Sequence, residues 1–183
     1  MISILTATMP DRGRLFAEAA QSVAAQTMSP AAWYVGYDHE NSGPSTILNR
    51  LAASVDTEWL FRLDDDDILE PDHFDTLAPY LTDEADIVYS WCRVEGTLAK
   101  TAFQVEFDRQ RLKYDNFIPS AACIRTSLFK QLGGYRQYED IKHRTRHEDW
   151  DFWLRAENEG ANFVCVPIVT WTYRLGDWSH RSL

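Results

Sequence analysis

A chain of 183 residues, 45% of them hydrophobic and 25% charged, is long enough for one domain with its own core. Its 18 Lys and Arg face 28 Asp and Glu, a formal net charge of −10, which argues against a nucleic-acid backbone or an anionic membrane as main partner. No apolar run approaches the roughly 20 residues of a bilayer span, so no transmembrane segment is expected. Met1-Ile2-Ser3-Ile4-Leu5 lacks the basic start of a signal peptide. Cys92, Cys123 and Cys165 are odd in number, have no metal-ligand spacing and lie in or beside apolar stretches. Buried free thiols and a cytoplasmic location are the expectation.

In chain order, Ile2 to Thr8 is a β-prone run ended by Pro10, and Arg14 to Thr27 reads as a helix. Trp33 to Tyr37 is a second strand that ends at Asp38. A turn at Asn41-Ser42-Gly43-Pro44 leads into a helix over Ser45 to Ser54. Trp59 to Leu63 is the third strand, followed by a helix over Pro71 to Leu81 with proline in its first turn. This β-α-β-α-β-α order predicts an α/β fold: a mainly parallel sheet flanked by helices. Further on, Asp86 to Trp91 is a strand, Val94 to Phe107 a hairpin or edge extension, and Ala121 to Arg125 a short strand. Ser127 to Leu132 is a helical turn stopped by Gly133-Gly134, and the polar, basic segment Tyr135 to Arg146 is a loop. His147 to Glu159 is a helix ended by Gly160, and Phe163 to Tyr173 holds one or two final strands.

The run Asp64-Asp65-Asp66-Asp67 directly follows the third strand. Four adjacent carboxylates repel one another, and a hard divalent cation is the usual compensation. A strand ending in carboxylates also delivers them to the carboxyl edge of the sheet, where open α/β folds bind ligands. The alternative is a solvated acidic loop. A second acidic pair, Glu148-Asp149, opens the helix after the basic loop, where the helix dipole alone would favour carboxylates. Asp151 and Arg155, four apart, suit an ion pair on the helix surface. His143 and His147 share that spacing, but Arg144, Thr145 and Arg146 between them disfavour a zinc site.

Taken together, Asp38, the acidic run and His147-Glu148-Asp149-Trp150-Asp151 resemble the family 2 type of glycosyltransferases, nucleotide-sugar-dependent enzymes of the GT-A fold. Ile4-Leu5-Thr6-Ala7-Thr8 looks like the first strand and donor-binding turn of that family. Leu63 to Asp72 is similar to its aspartate-x-aspartate signature, and Leu132-Gly133-Gly134-Tyr135 to its glycine pair. The resemblance implies one GT-A-like (Rossmann-like) domain over 1–183, a mixed, mainly parallel sheet flanked by helices, with a donor-binding half (1–91) and an acceptor half carrying the acidic-pair helix (92–183). It implies a sugar moved from a UDP- or GDP-sugar to a carbohydrate or other hydroxyl acceptor, with Mn²⁺ or Mg²⁺ as cofactor.

Carried over residue by residue, the resemblance assigns Thr6, Ala7, Thr8, Asp38, Asn49, Asp64 and Asp65 to the donor nucleotide. Asp66 becomes the metal ligand, with Asp65 able to replace it, and His180 completes the metal site. Asp67 also suits a helix-capping or loop-ordering role, and Asp38 a turn role. An inverting transfer needs one general base. Asp149 is that base in this reading, and Glu148 an acceptor or metal-side contact. Lys142, Arg144 and Arg146 would form a lid on the diphosphate, and Trp178 would stack on a sugar. The rival readings are a Mg²⁺-dependent nucleotidyltransferase, for which Thr8 to Arg14 is a poor phosphate loop, and a nucleotide- or glycan-binding domain without turnover.

Overall fold

Seven strands join one sheet: β1 (Ile2–Thr8), β2 (Ala32–Tyr37), β3 (Trp59–Arg62), β4 (Ile68–Leu69), β5 (Ile87–Gly96), β6 (Ala122–Arg125) and β7 (Phe163–Leu175), in spatial order β2-β1-β3-β6-β5-β7-β4. The structure is a computed structural model, described here for residues 1–96, 103–137, 140–141 and 147–175. The helices are α1 (Gly13–Ala24), α2 (Pro44–Ala52), α3 (His73–Leu77), α4 (Arg109–Leu112), α5 (Thr126–Gln131) and α6 (Glu148–Asn158). The sheet is mixed, as the resemblance implies. The long ladders β1–β2, β1–β3 and β5–β7 are parallel, and β6 and β4 enter through short antiparallel ladders.

All four residues of β3 are buried, because helices cover both faces of the sheet. Strand alternation then divides its side chains. Leu60 packs with Leu5, Leu48, Ile124, Phe152 and Trp153, while Trp59 and Phe61 pack with Ile4, Phe74, Val88 and Trp171.

Several boundaries differ from expectation for local reasons. The helix expected over Pro71 to Leu81 becomes α3 and a 3-10 turn over Ala78–Tyr80, since Pro79 has no N–H for the helical ladder. β5 continues to Gly96 because β7 pairs along its whole length. β7 is one strand, and its register steps from Ser90↔Val166 to Trp91↔Val169. Pro167 lies inside that step, where a missing donor is tolerated. The sequence pattern predicts neither β4 nor α4. α4 is only four residues long and rests on Asp108, whose carboxylate accepts the N–H groups of Gln110 and Arg111. No helix among the described residues is long and apolar enough to cross a membrane.

The parallel β1, β2 and β3 bring Thr8, Asp38 and Arg62-Leu63-Asp64 to one edge of the sheet, where the N–H of Asp38 donates to the carbonyl of Thr8 at 2.8 Å.

Candidate active site

The acidic run leaves β3 in a tight turn, with the N–H of Asp67 donating to the carbonyl of Asp64 at 3.2 Å. The turn gives its four carboxylates different surroundings. Asp64 is half-buried; it accepts Arg62 Nε at 2.8 Å on Oδ1, and Arg62 Nη2 at 3.2 Å and the Ser120 hydroxyl at 3.3 Å on Oδ2. Asp65 accepts the Thr8 hydroxyl at 2.6 Å and the Arg12 guanidinium at 2.7–2.9 Å. Asp66 accepts Arg12 Nη2 at 2.7 Å. Asp67, fully buried, takes the N–H of Arg174 on Oδ1 at 3.2 Å, and its Oδ2 has no hydrogen-bond partner among the described residues. Asp67 therefore orders the loop against β7 and does not cap α3, whose N-cap is Asp72.

Electrostatics follow from this crowding. Burial, reinforced by Asp64 and opposed by Arg12, pushes the Asp66 carboxyl up to about 6. Burial and the charges of Asp64 and Asp66 hold Asp67 well above the usual carboxylate range.

The acidic pair at the start of α6 meets the acidic run through one side chain. Arg62, buried at the end of β3, binds Asp64 and also donates from Nη1 to Glu148 Oε1 at 3.0 Å. Its guanidinium lies over the Tyr135 ring, 5.4 Å from the centroid. Asp149 meets different groups: the Asn116 amide at 3.3 Å from each oxygen and the N–H of Trp150 at 2.7 Å. Burial first, and Glu148 second, raise its carboxyl above the ordinary range, while Arg62 and the N–H of Trp150 oppose the rise. Trp150, Phe152 and Trp153 are buried and anchor α6, and Trp150 Nε1 donates to the carbonyl of Leu112 at 2.7 Å. Asp151 and Arg155 do form the expected ion pair, at 2.7 Å, although Asp151 is buried.

The glycine pair is a structural knot. Gly133 and Gly134 have φ of +74° and +72°, and a Cβ on Gly134 would meet Asn49 Oδ1 at 2.3 Å. Asn49 spends both ends of its amide on the Tyr135 backbone, at 2.7 and 2.9 Å. Arg155 ties α6 to the same knot through the carbonyls of Leu132 and Gly134.

Of the residues assigned to the donor, Thr8, Asp64 and Asp65 converge with Asp66. Thr6 lies deeper, accepting the Trp33 indole N–H at 3.0 Å. Ala7 is half-buried in β1. Asp38 sits at the same edge, but its oxygens accept the N–H and hydroxyl of Ser42 and the N–H of Gly43 at 2.8–3.0 Å. Burial would raise that carboxyl, but these donors hold it below its ordinary value. His147 is the N-cap of α6 without a side-chain capping bond. His180, Trp178, His143, Lys142, Arg144 and Arg146 lie outside the described residues.

Sequence reasoning misses Arg12, Arg62, Asn116 and Ser120 as members of the site. A signal exists for Arg62: a charged residue ending the apolar strand Trp59-Leu60-Phe61 needs a partner if it is buried.

A mixed sheet whose third strand ends at clustered carboxylates, with a second acidic pair linked to them from α6, has the GT-A architecture of nucleotide-sugar transferases. The chain belongs to glycosyl transferase family 2, whose family model matches residues 25–147. It is 24% identical over 149 residues to the uncharacterized glycosyltransferase YwdF of Bacillus subtilis (strain 168), covering 75% of this chain and 53% of that protein. Its fold matches S. aureus TarS 1-349 in complex with UDP-GlcNAc with a TM-score of 0.75 at 14% identity, over 96% of this chain and 59% of that one. It also matches the mannosyltransferase PcManGT from Pyrobaculum calidifontis in complex with GDP-Man and Mn²⁺, with a TM-score of 0.68 at 15% identity, over 96% and 57%. The chain thus spans little more than half the length of these relatives.

Proposed function

We propose that this domain transfers a sugar from a nucleoside-diphosphate sugar to a hydroxyl acceptor, with a divalent cation on the donor side and Asp149 as the base. The observation that carries this reading is the Arg62 bridge, which gathers the acidic run and the acidic pair into one site. Donor binding is assigned to 1–91, with Thr8, Asp64 and Asp65 facing the nucleotide, and the acceptor side to 92–183. Family membership and the UDP-GlcNAc and GDP-Man complexes of the similar folds support the substrate class. Three free cysteines suit a reducing, cytoplasmic setting.

The residues present fit Mn²⁺ or Mg²⁺. Their donors are carboxylate oxygens, the preferred ligands of hard cations, and the unpartnered Asp67 Oδ2 is a buried acceptor that the nearby arginines leave unanswered. Among the described residues, no three His, Cys, Asp or Glu side chains are grouped to hold a metal by themselves. One or two carboxylates with donor phosphates is the usual arrangement for Mg²⁺. Asp66 is the ligand of choice, with Asp65 as its alternative. Bound there, the cation would neutralise the charge that develops on the departing diphosphate. Asp149 accepts the proton of the acceptor hydroxyl as that oxygen attacks the anomeric carbon.

Calorimetric titration of UDP and GDP in Mn²⁺ and in EDTA tests the donor side. Binding of one nucleotide that disappears in EDTA is expected, and equal affinity in both buffers would overturn the metal bridge. Release of nucleoside diphosphate from UDP-GlcNAc and GDP-mannose tests turnover.

A further inference from the structure

Two carboxylates open α6, and the fold treats them unequally. Glu148 is held by a guanidinium at 3.0 Å. Asp149, its immediate neighbour, accepts hydrogen bonds among the described residues only from neutral donors, the Asn116 amide and the N–H of Trp150. The guanidinium that takes Glu148 is itself immobilised: Arg62 is buried, grips Asp64 through Nε and Nη2, and rests on the Tyr135 ring.

We propose that Arg62 is a positioning residue that assigns the base role to Asp149 by locking Glu148 into an ion pair with the donor motif. This inference rests on the transferase reading above. A carboxylate paired with a guanidinium is stabilised in its charged form and is a poor proton acceptor. Asp149, in contrast, is half-buried, and desolvation lifts its carboxyl above the ordinary range, closer to the working range of a general base. The fork geometry of arginine matters because one planar group must reach Asp64 and Glu148 in different directions, which lysine cannot do from a single nitrogen. In the transfer step the acceptor O–H proton passes to an Asp149 oxygen while the acceptor oxygen bonds to the anomeric carbon. The anomeric C–O bond to the diphosphate breaks, and its electron pair leaves with the diphosphate.

The charged and titratable groups that bear on Asp149 among the described residues are Glu148 from its own helix, Arg62 from β3, Tyr135 from the glycine knot and Tyr173 from β7. Arg62 is the cation in this set. Removing it should therefore raise the Asp149 midpoint, and removing Glu148 should lower it.

The test compares wild type with R62M, R62K, E148Q and D149N, using two measurements. The first is ¹³C NMR titration of labelled Asp and Glu carboxyls in the free protein. The second is the pH profile of nucleoside diphosphate release from UDP-GlcNAc and GDP-mannose with Mn²⁺. R62M should move the Asp149 midpoint, and the acid limb of the rate, up by about one pH unit. R62K keeps the charge, so the limb should stay near its wild-type pH while kcat falls on the order of tenfold with little change in KM. E148Q should move the Asp149 midpoint down and cost far less rate than D149N. An Asp149 midpoint unchanged in R62M, or a rate loss in E148Q equal to that in D149N, would overturn the proposal. Should R62M not fold, the R62K and E148Q results still decide it. Absence of turnover in wild type would sink the transferase reading alone, because the NMR midpoints would still judge the part played by Arg62.

Discussion

Asp65 and Asp66 meet the Arg12 guanidinium directly, whereas Asp149 meets an amide and a backbone N–H. Both regions are acidic and are linked through Arg62, yet the kind of partner differs. Carboxylates that share a guanidinium are placed to exchange that cation for another. A carboxylate answered by weak neutral donors is costly to keep charged and gains from taking a proton. Burial raises the carboxyls of both Asp66 and Asp149, and the comparison teaches that what differs between them is the counter-group, a guanidinium bonded to Asp66 and neutral donors on Asp149.

The largest expected effect comes from removing the counter-charge on the donor side. R12Q leaves Asp65 and Asp66 buried without their guanidinium and should destabilise the fold by roughly 3–5 kcal/mol at pH 8, as breaking a buried ion pair does. Added Mn²⁺ should recover part of that loss in thermal melts. A wild-type melting temperature for R12Q in EDTA would show that Arg12 is not the charge these aspartates depend on.

Next in size is the pH dependence of Asp66. Its carboxyl sits at about 6 in the folded chain, against 3.8 for an unperturbed aspartate. The folded state thus holds a proton that the unfolded chain releases near pH 4, and stability falls as pH rises from about 4 to about 6. The loss amounts to about 3 kcal/mol and levels off above that window. Denaturant titrations in EDTA across this range should show the slope in wild type and lose it in D66N. A slope of opposite sign at this residue would mean that Arg12 outweighs burial there, which would sharpen the contrast with Asp149.

On the other side of the site, D149N should keep the fold and nucleotide affinity while lowering turnover on the order of 10²-fold or more, the usual cost of losing a general base. That corresponds to about 2.7 kcal/mol of barrier. An equal loss of UDP or GDP affinity in calorimetry would move Asp149 to the donor side and erase the distinction between the two regions.

The smallest effect belongs to Asp67. Burial and its neighbours favour its neutral form, and asparagine has the same shape, so D67N should change stability by less than about 1 kcal/mol at pH 5. A larger loss in denaturant titration would indicate that Asp67 stays charged and shares the donor-side cation with Asp66.

Local pattern by itself determined the first half of the fold. Alternating apolar runs and turn residues placed β1, α1, β2, α2 and β3, because periodicity and glycine or proline punctuation act over a few residues. The spacing of Asp64-Asp65-Asp66-Asp67, Gly133-Gly134 and Glu148-Asp149 likewise marked the candidate site before any contact was known. Local pattern failed where pairing with a distant strand decides the outcome. β4 has two residues and exists through Trp171 and Thr172 of β7, and β5 reaches Gly96 because β7 runs beside it. Nor does local pattern reveal the partners that the site's polar groups find within the chain. Asp38 bonds Ser42 and Gly43, and Asn49 bonds the Tyr135 backbone, partners that chain order does not announce. Arg62 reads as the tail of an apolar strand, and only the tertiary structure sets it between Asp64 and Glu148, 86 residues apart from the latter. Chain order determines which charges the protein owns; the direction in which each side chain leaves its element, and the burial it meets there, decides which of them are neutralised.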